Sequence, residues 1–260
     1  MASFGTSYPQ TRKATIKACE QKIAEEFPAY EIRRAFTSQM VINKLEKKEN
    51  LIIDNPRQGL QKLKQENFSE VIIQPLHIIP GLEYHGLVRT AKQFKNDFKT
   101  LKIGEPLFYS NHDYQLIAEA IKSQSPEPEI DTAVVLMGHG SQHPSNAVYA
   151  CFDYVLTEEC DHNIYVGTVE GYPGLDSVIG RLKKDDIKKV HLMPLMLVAG
   201  DHAQNDMAGS KDSWKSILAK KGFEVEVHLK GLGENRAIQQ LYIKKVKKLV
   251  SGKQKLCAGS

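Results

Sequence analysis

The chain has 260 residues, enough for one large domain or two of about 130, and its 41% apolar, 25% charged and 8% aromatic content excludes disordered, fibrous and small disulfide-held classes. No run approaches the ~20 apolar residues of a bilayer span, and MASFGTSYPQTRK lacks a charged segment leading into an apolar one, so neither a membrane protein nor a secretory leader is expected. The excess of 35 Lys+Arg over 31 Asp+Glu is too small and too dispersed for a nucleic-acid footprint, yet compatible with a cleft for an anionic ligand.

Along the chain, helical and strand patterns alternate in the manner of βαβ units on parallel sheets. A helix is predicted over 10–27, a strand over 30–36, helices over 38–48 and 55–67, and a buried strand over 70–75. A helix over 84–98, a short strand over 101–105 and a helix over 111–123 follow. The polar, Pro-containing SQSPEPEID at 123–131 reads as a boundary, dividing an N-terminal α/β domain, 1–125, from a C-terminal one, 126–260. The pattern then restarts with a strand over 132–137, a Gly-rich turn and a helix over 144–159 whose apolar residues share one face. Strands over 163–169, 188–195 and 223–229 alternate with helices over 174–184, 204–220 and 235–250.

The halves resemble one another. Val71 to Leu76 can be laid on Val190 to Leu195 at an offset of 119, and Phe4-Gly5-Thr6 on His139-Gly140-Ser141 at an offset of 135. Two similar doubly wound parallel sheets produced by internal duplication, with strand ends facing a shared cleft, are the expected fold. In this comparison the first half lacks a counterpart of TAVVLM, because only Met1 and Ala2 precede Ser3-Phe4-Gly5-Thr6.

Three segments place polar side chains just after apolar strands. Gly138-His139-Gly140-Ser141 permits a sharp turn that leaves an imidazole at the sheet edge. Glu170, in Val169-Glu170-Gly171-Tyr172-Pro173, ends the next strand, and Gly200-Asp201-His202-Ala203-Gln204-Asn205-Asp206 follows the apolar run after Met193. Each alone also reads as a turn, a surface acid or a helix cap. Together His139, Glu170 and His202 form a ligand set suited to Co²⁺, Fe²⁺, Ni²⁺ or Zn²⁺. The matching first-half positions hold Phe4 and Glu83, so that half contributes a wall and an acid. His77 reads as a hydrogen-bonded core residue, and Trp214, Met193 and Met196 as packing. His112, His143, His162, His191 and His228 fall in loops or on strand faces without a constellation. Cys19, Cys151, Cys160 and Cys257 form no C-x-x-C pair and read as ordinary thiols of a reducing compartment. Walker A, dinucleotide-binding, nucleophile-elbow and H-E-x-x-H motifs are absent.

These segments, with Ser3-Phe4-Gly5-Thr6-Ser7-Tyr8, Arg34-Ala35-Phe36-Thr37-Ser38 and Gln74-Pro75-Leu76-His77, resemble in order the anaerobic cobalt chelatases (sirohydrochlorin cobaltochelatases) of the class II chelatase superfamily, over nearly the whole chain. The resemblance implies paired α/β domains around a tetrapyrrole cleft and an enzyme that inserts Co²⁺ into sirohydrochlorin in anaerobic cobalamin biosynthesis. It implies His139, Glu170 and His202 as metal ligands and His139 as the base for pyrrole N–H protons. Phe4, Glu83 and Ser141 are the candidate tetrapyrrole-binding residues, and Arg12 and Arg34 the candidate partners of its carboxylates. The only cofactor expected is the divalent metal taken as substrate, Co²⁺ or else Fe²⁺ or Ni²⁺, with no organic cofactor. Neither nucleic acid nor membrane is expected as a partner, while a homo-oligomer is compatible with the reading. Cytoplasmic localisation is expected, or periplasmic if an export signal precedes Met1, since family members ordinarily carry a strand before Ser-Phe-Gly-Thr-Ser and some a signal peptide before that. The tail from Gly252 to Ser260 has no family counterpart. The competing readings are an iron or nickel chelatase, a non-catalytic haem or tetrapyrrole carrier on the same fold, and a duplicated α/β protein binding some other small anion.

Overall fold

A computed structural model describes residues 1–127, 129–160 and 163–252; His162, Cys257 and the tail beyond Gly252 lie outside the described residues. The first half runs β1 (Ala2–Ser3), α1 (Pro9–Arg12), a π-helical turn (Lys13–Lys17), α2 (Ala18–Glu26), β2 (Ala35–Phe36), α3 (Gln39–Glu49) and α4 (Pro56–Gln65). It continues through β3 (Glu70–Ile73), α5 (Leu82–Gln93), β4 (Thr100–Ile103) and α6 (Asn111–Lys122). The second half holds β5 (Thr132–Gly138), a 3₁₀ turn (Pro144–Asn146), α7 (Ala147–Glu159), β6 (Ile164–Thr168), α8 (Leu175–Lys184) and β7 (Lys189–Pro194). A π-helical turn (Ala203–Met207), α9 (Trp214–Lys220), β8 (Glu224–Val227), a 3₁₀ turn (Leu232–Glu234) and α10 (Arg236–Val250) complete it. No described helix is long and apolar enough to cross a membrane.

All named strand pairs are parallel. The second-half order is β6-β5-β7-β8, and in the first half the pairs β1-β2 and β3-β4 are joined by a parallel bridge between Ala2 and Pro75. The first-half order is therefore β2-β1-β3-β4, the same arrangement with each strand replaced by its counterpart. Where the comparison of the halves finds a strand wanting, the structure has Ala2–Ser3.

The helix over 84–98 ends at Gln93 and passes into turns, and two further expected elements differ. The strand over 30–36 is only Ala35–Phe36, because its partner β1 offers just two residues to pair with. The helix over 204–220 breaks into the π turn and α9, separated by Ala208 to Ser213, where the Ser213 hydroxyl accepts from the Ser216 N–H at 3.1 Å and starts a new helix.

The apolar interior has three parts. Val71, Ile73, Leu60, Leu87 and Phe94 form a core on the outer side of the first sheet, and Val135, Met137, Val178, Leu192 and Trp214 form one on the outer side of the second. Between them lies a shared core that joins Ile23, Phe36 and Leu45 to Val134, Leu136, Phe152 and Tyr242. Trp214 and Met193 are packed as their sequence context indicates. His77 is buried with Nε2 3.2 Å from Thr37 Oγ1, and burial drives its pKa down to about 4.

The last helix of each half reaches across. α10 packs on α2, β3 and α6, with the Tyr242 hydroxyl donating to Leu76 O at 3.1 Å, while α6 packs on α7. Lys245 on α10 meets both oxygens of Asp113 on α6 at 3.1 Å, and both side chains are buried. Asp113 also accepts from the Ser110 N–H at 2.7 Å. Burial alone would raise the Asp113 pKa, but the Lys245 charge and the Ser110 bonds outweigh it and hold the carboxyl below its ordinary value. Removing Asp113 leaves the buried Lys245 ammonium with only the longer 3.7 Å contact to Glu105, so Asp113→Ala is expected to cost about 3 kcal/mol in urea unfolding. A carboxylate with a depressed folded-state pKa stabilises above its unfolded value and loses that contribution as pH falls through the folded one. Wild-type stability should therefore drop on acidification in that range, and Asp113→Asn should remove this part of the slope.

Candidate metal centre

β5 lies between β6 and β7, and the chain leaving each strand remains tied to its neighbour. The Val169 N–H donates to Gly138 O at 3.1 Å, the Glu170 N–H to His139 O at 2.8 Å and the Leu195 N–H to Met137 O at 2.8 Å. His139, Glu170 and His202 thus emerge at one sheet edge although up to 63 residues separate them along the chain (202 − 139). One donor atom from each lies within 4.8 Å of the others. The two imidazoles meet edge to face, with ring centres 4.3 Å apart and planes at 88°, and Glu170 Oε2 is 4.0 Å from His139 Nδ1.

Hydrogen bonds at the rear orient both rings. His139 Nδ1 is 2.9 Å from Gly140 O, and a carbonyl only accepts, so Nδ1 carries the proton and Nε2 keeps its lone pair. His202 Nδ1 is 2.6 Å from Asp206 Oδ2, one turn on in the π-helical segment, which assigns the same tautomer. A ring held through Nδ1 by a carbonyl or a carboxylate keeps the Nε2 lone pair for a metal ion, the usual support of a histidine ligand. The side chains are 41%, 57% and 35% exposed for His139, Glu170 and His202, so water reaches all three.

The turn carrying His139 is fixed by two close approaches. Gly140 has φ 83°, and a Cβ there would lie 2.7 Å from Gly171 N, while a Cβ on Gly138 would enter the Tyr149 ring at 2.3 Å. Asn146 joins the same loops, accepting from the Ser141 N–H at 3.0 Å and donating to Tyr172 O at 2.7 Å.

First-half loops approach this edge. The Tyr8 hydroxyl donates to Asp201 Oδ1 at 3.1 Å, beside His202, and burial together with that carboxylate raises the Tyr8 pKa. Phe4 stands 44% exposed just after β1, and Glu83 is exposed on the first turn of α5, outside the three-donor group. Ser141 turns its hydroxyl inward to accept from the His143 N–H at 3.1 Å. Two ring contacts here are not legible in the sequence: the His85 ring lies 5.1 Å from that of His143, across the halves, and within the first half Tyr84 lies 6.5 Å from Tyr109. Burial pushes the Tyr84 pKa up to about 12. Arg12 and Arg34, the expected partners for substrate carboxylates, are committed elsewhere. Arg12 pairs with Glu49 at 2.6 Å and Arg34 Nε donates to Glu20 at 2.9 Å, each guanidinium held by an internal acid that the sequence order conceals.

Residues 1–251 match the family model described as cobalt chelatase (CbiK). A sirohydrochlorin cobaltochelatase of Salmonella typhimurium is 43% identical over 244 residues, covering 94% of this chain and 92% of that one. The sirohydrochlorin cobaltochelatase CbiKC of Nitratidesulfovibrio vulgaris is 33% identical over 247 residues, covering 94% and 86%. Among solved structures, SirB from Bacillus subtilis with Fe³⁺ superposes with a TM-score of 0.66 at 14% identity, covering 97% of this chain and 94% of that one. DR2241 from Deinococcus radiodurans, a multi-domain protein described as structurally similar to chelatases, gives 0.60 at 14% identity, covering 94% of this chain and 54% of that one. At that identity the likeness establishes the chelatase-like α/β fold.

The close approach at Gly140 yields a stability test. Gly140→Ala adds a methyl against backbone in a left-handed conformation and should destabilise by about 1–3 kcal/mol in urea unfolding. Gly180→Ala, in α8 with open space around the added carbon, should instead stabilise by about 0.5–1 kcal/mol. Equal effects at the two positions would contradict the packing of the His139 turn.

Proposed function

The chain belongs to the cobalt chelatase family, and from that membership we propose that it inserts Co²⁺ into sirohydrochlorin, releasing two protons, in anaerobic cobalamin biosynthesis. The observation that carries the reading is the convergence of His139, Glu170 and His202 on one edge of a parallel sheet, in a chain 43% identical to a sirohydrochlorin cobaltochelatase over nearly its whole length.

In this reading Co²⁺ is the substrate, held by His139 Nε2, His202 Nε2 and a Glu170 oxygen, with water on the open side. Imidazole and carboxylate are borderline-to-hard ligands that bind a first-row ion without enclosing it, which suits a site that must give its ion up. The tetrapyrrole enters between the halves, along the wall formed by Phe4, Tyr84, Glu83 and Ser141. As the macrocycle nitrogens replace protein ligands, His139 Nε2 is freed and takes one pyrrole proton, while Nδ1–H stays on Gly140 O. Metal release and proton acceptance are thereby coupled at one atom. Glu170, freed in the same step, takes the second proton, and both groups return protons to water through their exposed faces. The matching strand orders and the exchanged end helices support a duplicated pair of α/β domains, divided near residues 125 and 126, that hold the cleft between them.

Two imidazoles and a carboxylate do not separate Co²⁺ from Fe²⁺ or Ni²⁺, whose affinities are ordered by the metals themselves. A competition assay across the three ions decides preference. With sirohydrochlorin and Co²⁺, wild type should turn over many times per chain, and His139→Ala should slow the metal-dependent absorbance change by about 10²–10⁴-fold. Unchanged activity in that variant would overturn the assignment of His139, and a single equivalent of bound tetrapyrrole without turnover would mark a carrier.

A further inference from the structure

The parallel pairing of β7 with β8 brings together three residues that the linear sequence keeps apart. His191 is the register partner of Glu226, and His228, two residues further on, falls on the same face. His191 Nδ1 lies 2.9 Å from His228 Nε2, Glu226 Oε2 is 3.6 Å from His191 Nδ1, and Glu226 Oε1 is 3.6 Å from His228 Nε2. One donor atom from each falls within 4.8 Å of the others. Donors bound at about 2.0–2.2 Å around a tetrahedral first-row ion stand about 3.3–3.6 Å apart; the two contacts to Glu226 have that spacing, and the two imidazoles, now 2.9 Å apart, would open by about half an ångström to admit the ion. The geometry points to a second divalent-metal site, formed by His191, Glu226 and His228, for a borderline first-row ion such as Zn²⁺ or Co²⁺.

The site is separate from the centre at His139. His191 lies inside β7, three residues before Pro194, whereas His202 follows the strand's far end, and the edge strand β8 contributes nothing to the first group. Buried positions of a parallel strand are ordinarily apolar, as Val190, Leu192 and Met193 are here, so a 5% exposed imidazole at position 191 departs from the rule. Its burial favours the neutral ring, the form that ligates, and outweighs the opposing pull of Glu226, while Glu129 from the segment before β5 adds a further negative charge. The proton shared between the two imidazoles does not block a cation, because the ring that carries it can hold it on its other nitrogen. Lys189 Nζ competes for Glu226 at 3.5 Å but is also 3.9 Å from Glu224, so its ammonium can remain on Glu224 when an ion takes Glu226. A bound ion would clamp the edge strand to β7, leaving its remaining positions to water.

Equilibrium dialysis of the full chain against Co²⁺, and in parallel against Zn²⁺, followed by metal analysis, tests this independently of chelatase activity. His139→Ala/His202→Ala removes the first donor group and should still retain one ion per chain. Adding Glu226→Gln and His228→Gln should reduce that to none; both side chains are partly exposed, and circular dichroism verifies that the variant is folded. A His139→Ala/His202→Ala chain that retains neither ion, or retention unchanged by the two further substitutions, would overturn the second site.

Discussion

Strand β5 is covered on both faces, and this constraint governs the rest of the molecule. Val134 and Leu136 enter the shared core while Ala133, Val135 and Met137 enter the outer one, so the strand cannot slip by a residue without exchanging its two apolar sets. Its register with β6 and β7 is thereby fixed, and with it the positions where those chains leave the sheet. His139, Glu170 and His202 need no long-range polar scaffold to meet. They follow three strand ends that the core holds side by side, His139 and Glu170 within two residues and His202 just after Asp201, and backbone bonds from Val169, Glu170 and Leu195 carry the alignment past the formal ends.

The shared core sets how the halves sit. Because it draws on both sheets and on α10, separating the halves would expose Phe36, Leu136, Phe152 and Tyr242 together. The end helices cross in opposite directions, α10 toward the first sheet and α6 toward α7, and the Lys245–Asp113 pair fastens one to the other. The cleft proposed between the halves would be bordered by Phe4, His143 and Tyr172 on loops and Glu83 on the first turn of α5, aromatic and polar groups of the kind that a surface for a flat, anionic macrocycle requires.

Much of this was legible in the sequence for physical reasons. Strands buried on both faces are nearly continuous apolar runs, so TAVVLM and the run ending at Pro194 declare themselves, and polar residues following them fall at the sheet edge in any parallel α/β fold. The repeat of VIIQPL as VHLMPL anticipates the matching strand order. What escaped depends on pairing partners. The brevity of β2 follows from β1, the internal commitment of Arg12 and Arg34 from Glu49 and Glu20, and the meeting of His191 with His228 from the β7–β8 register; none has a local signal. The break between the π turn and α9 had one, in Gly209 and Ser213, but the surrounding helical periodicity masked it.

In the proposed function, His139, Glu170 and His202 are the place where the protein holds a divalent ion. Anomalous difference density from a crystal soaked in Co²⁺ addresses this directly, since it locates the ion without reference to activity. A peak between the three side chains, with both imidazoles bound through Nε2 and their Nδ1 atoms still on Gly140 O and Asp206, is the predicted result. Cobalt density elsewhere on the chain with none at this sheet edge would contradict it.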